Sequence, residues 1–190
     1  ELKILCLPEE YPEDAEEYYK DIFEEKYDYI FGHGDIEGGV YHLGVDNRML
    51  KGFRFGKSEL SKNSKYTIFG HLHMHHFIEE NVLYSGSLAR WKYGEEEDKG
   101  FIELSNIYED KPTFEFIVTP TIKFDTIVIE DIEDIEKIET LKNEYGEGDN
   151  LKFKISKTNW DEKEEILESL NKMSNISKDI QNVKFESIKE

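Results

Sequence analysis

The heptapeptide GHLHMHH, residues 70–76, holds four of the six histidines in this 190-residue chain. Imidazole binds divalent cations well because it can stay uncharged near neutral pH, but a cation site needs several lone pairs aimed at one point. Gly-His-x-His directly after the apolar run TIF delivers two such groups, His71 and His73. A second Gly-His, in YIFGHGD, ends another apolar run and offers His33 from a different loop. Strand ends hold their side chains rigidly, so three imidazoles from two strand-end loops would form a cation site. If 70–76 is extended, alternation turns His71, His73 and His75 one way and Leu72, Met74 and His76 the other. His42, His75 and His76 read more simply as ordinary surface or core histidines.

The elements that must position these groups follow from pattern. Residues 2–7 form an apolar strand candidate, and PEDAEEYYKDIFEEKY reads as a helix with Pro12 in its first turn. Tyr29–Phe31 and Tyr66–Phe69 read as short buried strands, the second preceded by a short helix in SELSKNSK, so strand, helix, strand and Gly-rich loop follow an α/β rhythm. Beyond residue 75, HHFIEE, NVLYSG, KGFIEL and TFEFIV suggest one antiparallel part of the sheet system.

Pro120 and the polar step TPTIKF mark a boundary. The chain restarts as strand FDTIVIE, helix, strand LKFKIS, helix and strand NVKFESI, a small βαβαβ unit with neither His nor Cys. Ile132, Ile135, Ile138 and Leu141 line one face of its first helix; Ile166, Leu167, Leu170 and Met173 line one face of the second. Thr158 and Asp161 have the spacing of a capping box at that second helix start. The expectation is an α/β (α+β) chain with domains at 1–120 and 121–190.

Forty-three acidic residues against 24 basic ones give a net charge of -19, a surface that repels phosphate backbones unless bound cations or a local basic patch reverse the field. The acids lie among apolar residues at helical or loop spacing and read mostly as solvated faces. Cys6 is the only cysteine and reads as a small buried side chain, in keeping with a reducing compartment. The N-terminus lacks a signal-peptide layout and no long apolar run occurs, so the expected setting is cytoplasmic, with no membrane partner.

TIFGHLH followed by NVLYSGSLARWKYGEEEDKGFIEL resembles the calcineurin-like metallophosphoesterases, and within them the SbcD-type DNA exonuclease subunits and their phage-encoded relatives. The shared motifs are Gly70-His71-Leu72-His73, Tyr84-Ser85-Gly86-Ser87, Gly94-Glu95 and Lys99-Gly100, with YDYIFGHGDIEG resembling the preceding single-histidine motif at His33; the match spans about residues 28–104. The resemblance implies the C-terminal part of a metallophosphoesterase β-sandwich flanked by helices, with residues 121–190 placed as a small α/β capping domain. It implies two divalent cations, with manganese the usual activating ion, about 3.5–4 Å apart and clamping a scissile phosphate. His33 and His71 would bind one and His73 the other. DNA and an SbcC-type ATPase subunit would be partners, with homodimerisation possible in the family. Lys152, Lys154 and Lys157 are the nearest basic cluster of the capping region, read equally well as a solvated edge strand.

The family's Asp-x-His, Gly-Asp-x-x-Asp and Gly-Asn-His motifs do not occur before His33. No catalytic acid is therefore assigned, and the expectation is that these residues are the C-terminal portion of a longer nuclease, or a degenerate relative, inactive alone. Two other readings remain open: a calcineurin-like phosphatase or small-molecule phosphodiesterase, and a non-catalytic module in which the histidines hold one structural zinc.

Overall fold

The computed structural model describes residues 1–10, 12–41, 45–46, 52–130, 134, 145, 148–155 and 184–187. His42, the two expected helices of 121–190 with their apolar faces, the Thr158–Asp161 pair and Lys157 lie outside them. The fold is α+β, and the chain divides into two compact units: residues 1–89 with 97–120, and residues 90–96 with 121–190. Residues 90–96 thus sit on the far side of the boundary that the sequence places at Pro120.

The first unit is built on a five-stranded sheet in the order β1-β2-β5-β7-β6. Its strands are β1 (Ile4–Leu7), β2 (Tyr27–His33), β5 (Ser64–Gly70), β6 (His76–Glu79) and β7 (Val82–Tyr84). β1, β2, β5 and β7 run parallel, and β6 closes the edge as the antiparallel arm of a hairpin with β7. Between β2 and β5 come β3 (Val40–Tyr41) and β4 (Val45–Asp46), an antiparallel pair. Two short helices, α1 (Ala15–Tyr19) and α2 (Lys57–Asn63), send Tyr19 and Leu60 into a core shared with Leu7, Ile30, Phe55 and Phe69.

The helix expected from Pro12 onward is much shorter than its composition suggests. Asp14 caps it by accepting from the Glu17 N–H at 3.0 Å, so Pro12 precedes the first turn instead of occupying it. After Tyr19 the chain tightens into a 3-10 turn, Ile22–Glu24, and both Ile22 and Phe23 pack against the core.

The antiparallel region also differs from expectation. β6 and β7 belong to the five-stranded sheet, whereas β8 (Gly100–Ser105) and β9 (Thr113–Val118) form a ladder of their own. That ladder is laid on the sheet by aromatic contact: Phe114 stacks near Tyr66 at 6.5 Å, and Phe116 lies flat on His75 at 4.3 Å. Cys6 is exposed, not buried. In β1 it is Leu5 and Leu7 that turn to the core, and strand alternation leaves Ile4 and Cys6 on the opposite side of an edge strand.

The second unit carries a three-stranded parallel sheet of β10 (Phe124–Ile129), β11 (Asn150–Ile155) and β12 (Lys184–Ser187), in that order. β11 is its centre, so the edge-strand reading of Lys152 and Lys154 does not hold. Leu151 and Phe153 are buried while Lys152 and Lys154 face the other way, and the Lys152 ammonium lies 4.6 Å from the Tyr93 ring centroid.

Among the described residues no helix is long and apolar enough to cross a membrane.

Candidate metal centre

Parallel strands deliver their following loops to the same sheet edge, which is where ligands bind in open α/β sheets. Here β1 leads to Glu9, β2 ends at His33 and β5 leads to His71. The three side chains meet: one ligand atom from each lies within 4.8 Å of the others. His33 Nδ1 is 2.7 Å from Glu9 Oε2, and His71 Nδ1 is 3.7 Å from Glu9 Oε1. The imidazoles stand edge to face with centroids 5.4 Å apart.

The repeated Gly-His step has a steric cause. In the β2–β5 register Gly32 lies opposite Phe69, and His33 opposite Gly70. A Cβ at Gly32 would fall 2.5 Å from the Phe69 ring, and one at Gly70 would fall 2.7 Å from His33 Cδ2. Each glycine therefore makes room for a ring on the neighbouring strand, and Gly70 in particular lets His33 fold over β5 toward His71.

His71 itself sits at φ 96°, a backbone region that a residue with a Cβ rarely enters. Such a conformation costs on the order of 1–3 kcal/mol and persists only where the surroundings fix it. Part of what fixes it is a polar chain behind the ring. Tyr41 donates its hydroxyl proton to Asp35 Oδ1 at 3.1 Å, and the Tyr41 hydroxyl oxygen is itself 3.1 Å from His71 Nε2. Burial, followed by the Asp35 carboxylate, pushes the Tyr41 phenol up to about 12, so it keeps its proton. With that proton given to Asp35, the His71 contact requires Nε2–H as donor, which leaves the Nδ1 lone pair facing Glu9 and His33. A ligating histidine with its other nitrogen donating into a hydrogen-bonded chain is the arrangement metal sites use to fix tautomer and ring angle.

His73 does not join this group. Residues 71–75 are not a strand, the positive φ at His71 breaks the two-residue alternation, and the His73 side chain is exposed while Leu72 is buried. Its backbone is nonetheless tightly held. The His73 carbonyl accepts from the Ser87 N–H and from Lys99 Nζ, both at 3.1 Å, and the Lys99 side chain is fully buried. Tyr84, from the same Tyr-x-Gly-Ser stretch as Ser87, braces the other loop: its hydroxyl accepts from the Ile36 N–H at 2.7 Å and donates to the Gly34 carbonyl at 2.9 Å. The Tyr84 and Ser87 positions and Lys99 thus act as supports for the histidine loops.

His75 and His76 are used structurally. His75 Nδ1 lies 2.8 Å from the Tyr84 carbonyl, with its ring against Phe116. His76 Nε2 accepts from the Val40 N–H at 3.1 Å, so Nδ1 carries the proton and donates to the Met74 carbonyl at 2.9 Å. Burial lowers the His76 pKa, opposed in part by the bond to Met74.

Sequence reasoning did not single out Glu9, Asp35 or Tyr41. For Glu9 a signal existed, since it lies two residues beyond a strand, as the histidines lie at or just past theirs. Two imidazoles and a carboxylate are a donor set suited to one divalent cation of the zinc or manganese class. Compared with protein-family models and with curated proteins, the chain matches none.

Proposed function

We propose that this chain carries the histidine-bearing half of a cation-dependent phosphodiesterase centre acting on DNA, with an ATPase subunit of the SbcC type as its working partner. The observation that carries the reading is the convergence of Glu9, His33 and His71 beyond three adjacent parallel strands. The ordered motifs from His33 to Gly100 support the same reading.

A bound cation would supply Lewis acidity and a positive charge for the substrate phosphate. The chain's own residues do the remaining work. Glu9 and the Nδ1 atoms of His33 and His71 hold the ion; Tyr41 and Asp35 keep the His71 proton on Nε2. The family resemblance assigns His73, whose side chain is exposed, to a second ion. A bridging carboxylate and a proton donor to the leaving group are not assigned within these residues, so we expect cation and phosphate binding here, without rapid turnover by this chain alone.

The test pairs calorimetric titration of manganese and zinc with hydrolysis of a linear duplex and of a small phosphodiester. Cation binding that is lost in Glu9→Gln and His71→Ala supports the site; no binding by the wild-type chain overturns it. Fast duplex cleavage abolished by His73→Ala would mean that a complete two-ion centre lies within these residues. A second reading, a single zinc held without catalysis, would need a fourth protein donor to close the tetrahedron beside Glu9, His33 and His71; one tightly bound zinc with no affinity for phosphate would select it.

A further inference from the structure

Beside the Glu9–His33–His71 group lies a cavity of about 320 Å³, which those three residues line together with Tyr19, Phe53 and Phe55. Its lining combines two chemistries, the cation donors and a cluster of rings. Phe53 stacks on Tyr19 at 5.2 Å and 21°, and both rings meet Phe55 edge-on at about 5 Å. Tyr19 and Phe55 are buried, whereas Phe53 is 37% exposed, so the ring cluster keeps an accessible aromatic surface at the cavity.

We propose that this cavity is a nucleotide subsite: it takes one nucleobase against Phe53 while the attached phosphate meets the cation held by Glu9, His33 and His71. Flat bases stack on aromatic rings without regard to sequence, and such stacking is a common way to hold single-stranded nucleic acid. The volume is at the small end of ligand cavities, roughly 300–1,000 Å³, which suits one nucleotide and not a stretch of strand. Glu9, Glu10 and Asp35 also line the cavity and would repel a bare phosphate, so nucleotide binding depends on the cation. The inference rests on the cation-site reading above and adds the identity of what lies next to the phosphate.

The experiment is calorimetric titration of the 190-residue chain, saturated with manganese, with deoxyadenosine monophosphate, deoxyribose 5-phosphate and deoxyadenosine. The nucleotide should bind on the order of tenfold more tightly than the sugar phosphate, the difference being the stacked base. Phe53→Ala should remove that preference while leaving manganese affinity and sugar-phosphate affinity unchanged. Phe53→Leu, which keeps apolar bulk without a planar ring, should do the same and guards against a folding defect. Equal affinity for nucleotide and sugar phosphate, or a preference that survives both substitutions, overturns the subsite while leaving the cation site standing. Absence of manganese-dependent phosphate binding by any ligand overturns both.

Discussion

His71 and His75 are four residues apart in one loop, yet they do opposite work. His71 holds its proton on Nε2, turned toward Tyr41, and leaves Nδ1 open to Glu9 and the cavity. His75 and His76 turn ring nitrogens to backbone groups, at the Tyr84 and Met74 carbonyls and the Val40 N–H. The difference teaches that a histidine becomes a ligand candidate when one nitrogen donates and the lone pair on the other meets further donors: His76 spends both nitrogens on the main chain, and His75, which keeps one, does not converge with Glu9 and His33. A ring whose lone pair meets a main-chain N–H has none to give, however close it lies to others.

The largest expected effect tests that contrast at its strong end. Alanine at His71, His33 or Glu9 should weaken manganese or zinc affinity by about 100-fold or more, because the loss of a ligand exceeds the roughly 10–100-fold cost of losing an outer partner. His75→Phe keeps the ring on Phe116 and gives up the bond to the Tyr84 carbonyl, and it should leave affinity within about twofold by the same titration. Equal losses at His71 and His75 would erase the distinction.

Tyr41→Phe should come next, weakening the cation by about tenfold by removing the acceptor of His71 Nε2–H. Nitrogen-15 imidazole spectra would show the His71 proton no longer fixed on Nε2, a signature that simple loosening of the loop would not give. His76→Ala should cost about 1–3 kcal/mol of stability in urea unfolding, because it strips the partner from the Val40 N–H, with cation affinity little changed.

The smallest effect concerns pH. In the fold His76 has a pKa below the usual 6.5, so as pH falls through 6.5 the unfolded chain takes up a proton that the folded chain refuses. Its contribution is fully present above that value and declines below it, until the depressed native pKa is reached. The urea midpoint of the wild type should therefore fall more steeply below pH 6.5 than that of His76→Phe, which lacks the group; equal slopes would exclude His76 as the source of the acid loss.

The five-stranded sheet was largely legible, since apolar runs at 2–7, 29–31 and 66–69 stop at polar or glycine-rich steps. The pairing of His33 with His71 could be foreseen because both close such runs. The extended reading of 70–76 failed on one torsion, the φ of His71, which period-two logic has no means to anticipate. Glu9 was hidden in PEE, between a strand candidate and a helix candidate, as one of many acids that read as solvated. Asp35 and Tyr41 were out of reach because their chain to His71 depends on the path of a loop. Cys6 misled because an apolar run does not say which of its faces is covered.

The Lys99 ammonium on the His73 carbonyl also bears on the order in which the molecule is assembled. Synthesis proceeds from the N-terminus, so Glu9, His33 and His71 emerge well before the lysine that steadies the loop. A nascent chain stopped near residue 80 would possess every donor and lack the brace. On the proposed reading, the native geometry of the cation site would be complete only once Lys99, just ahead of β8, has reached the His73 carbonyl.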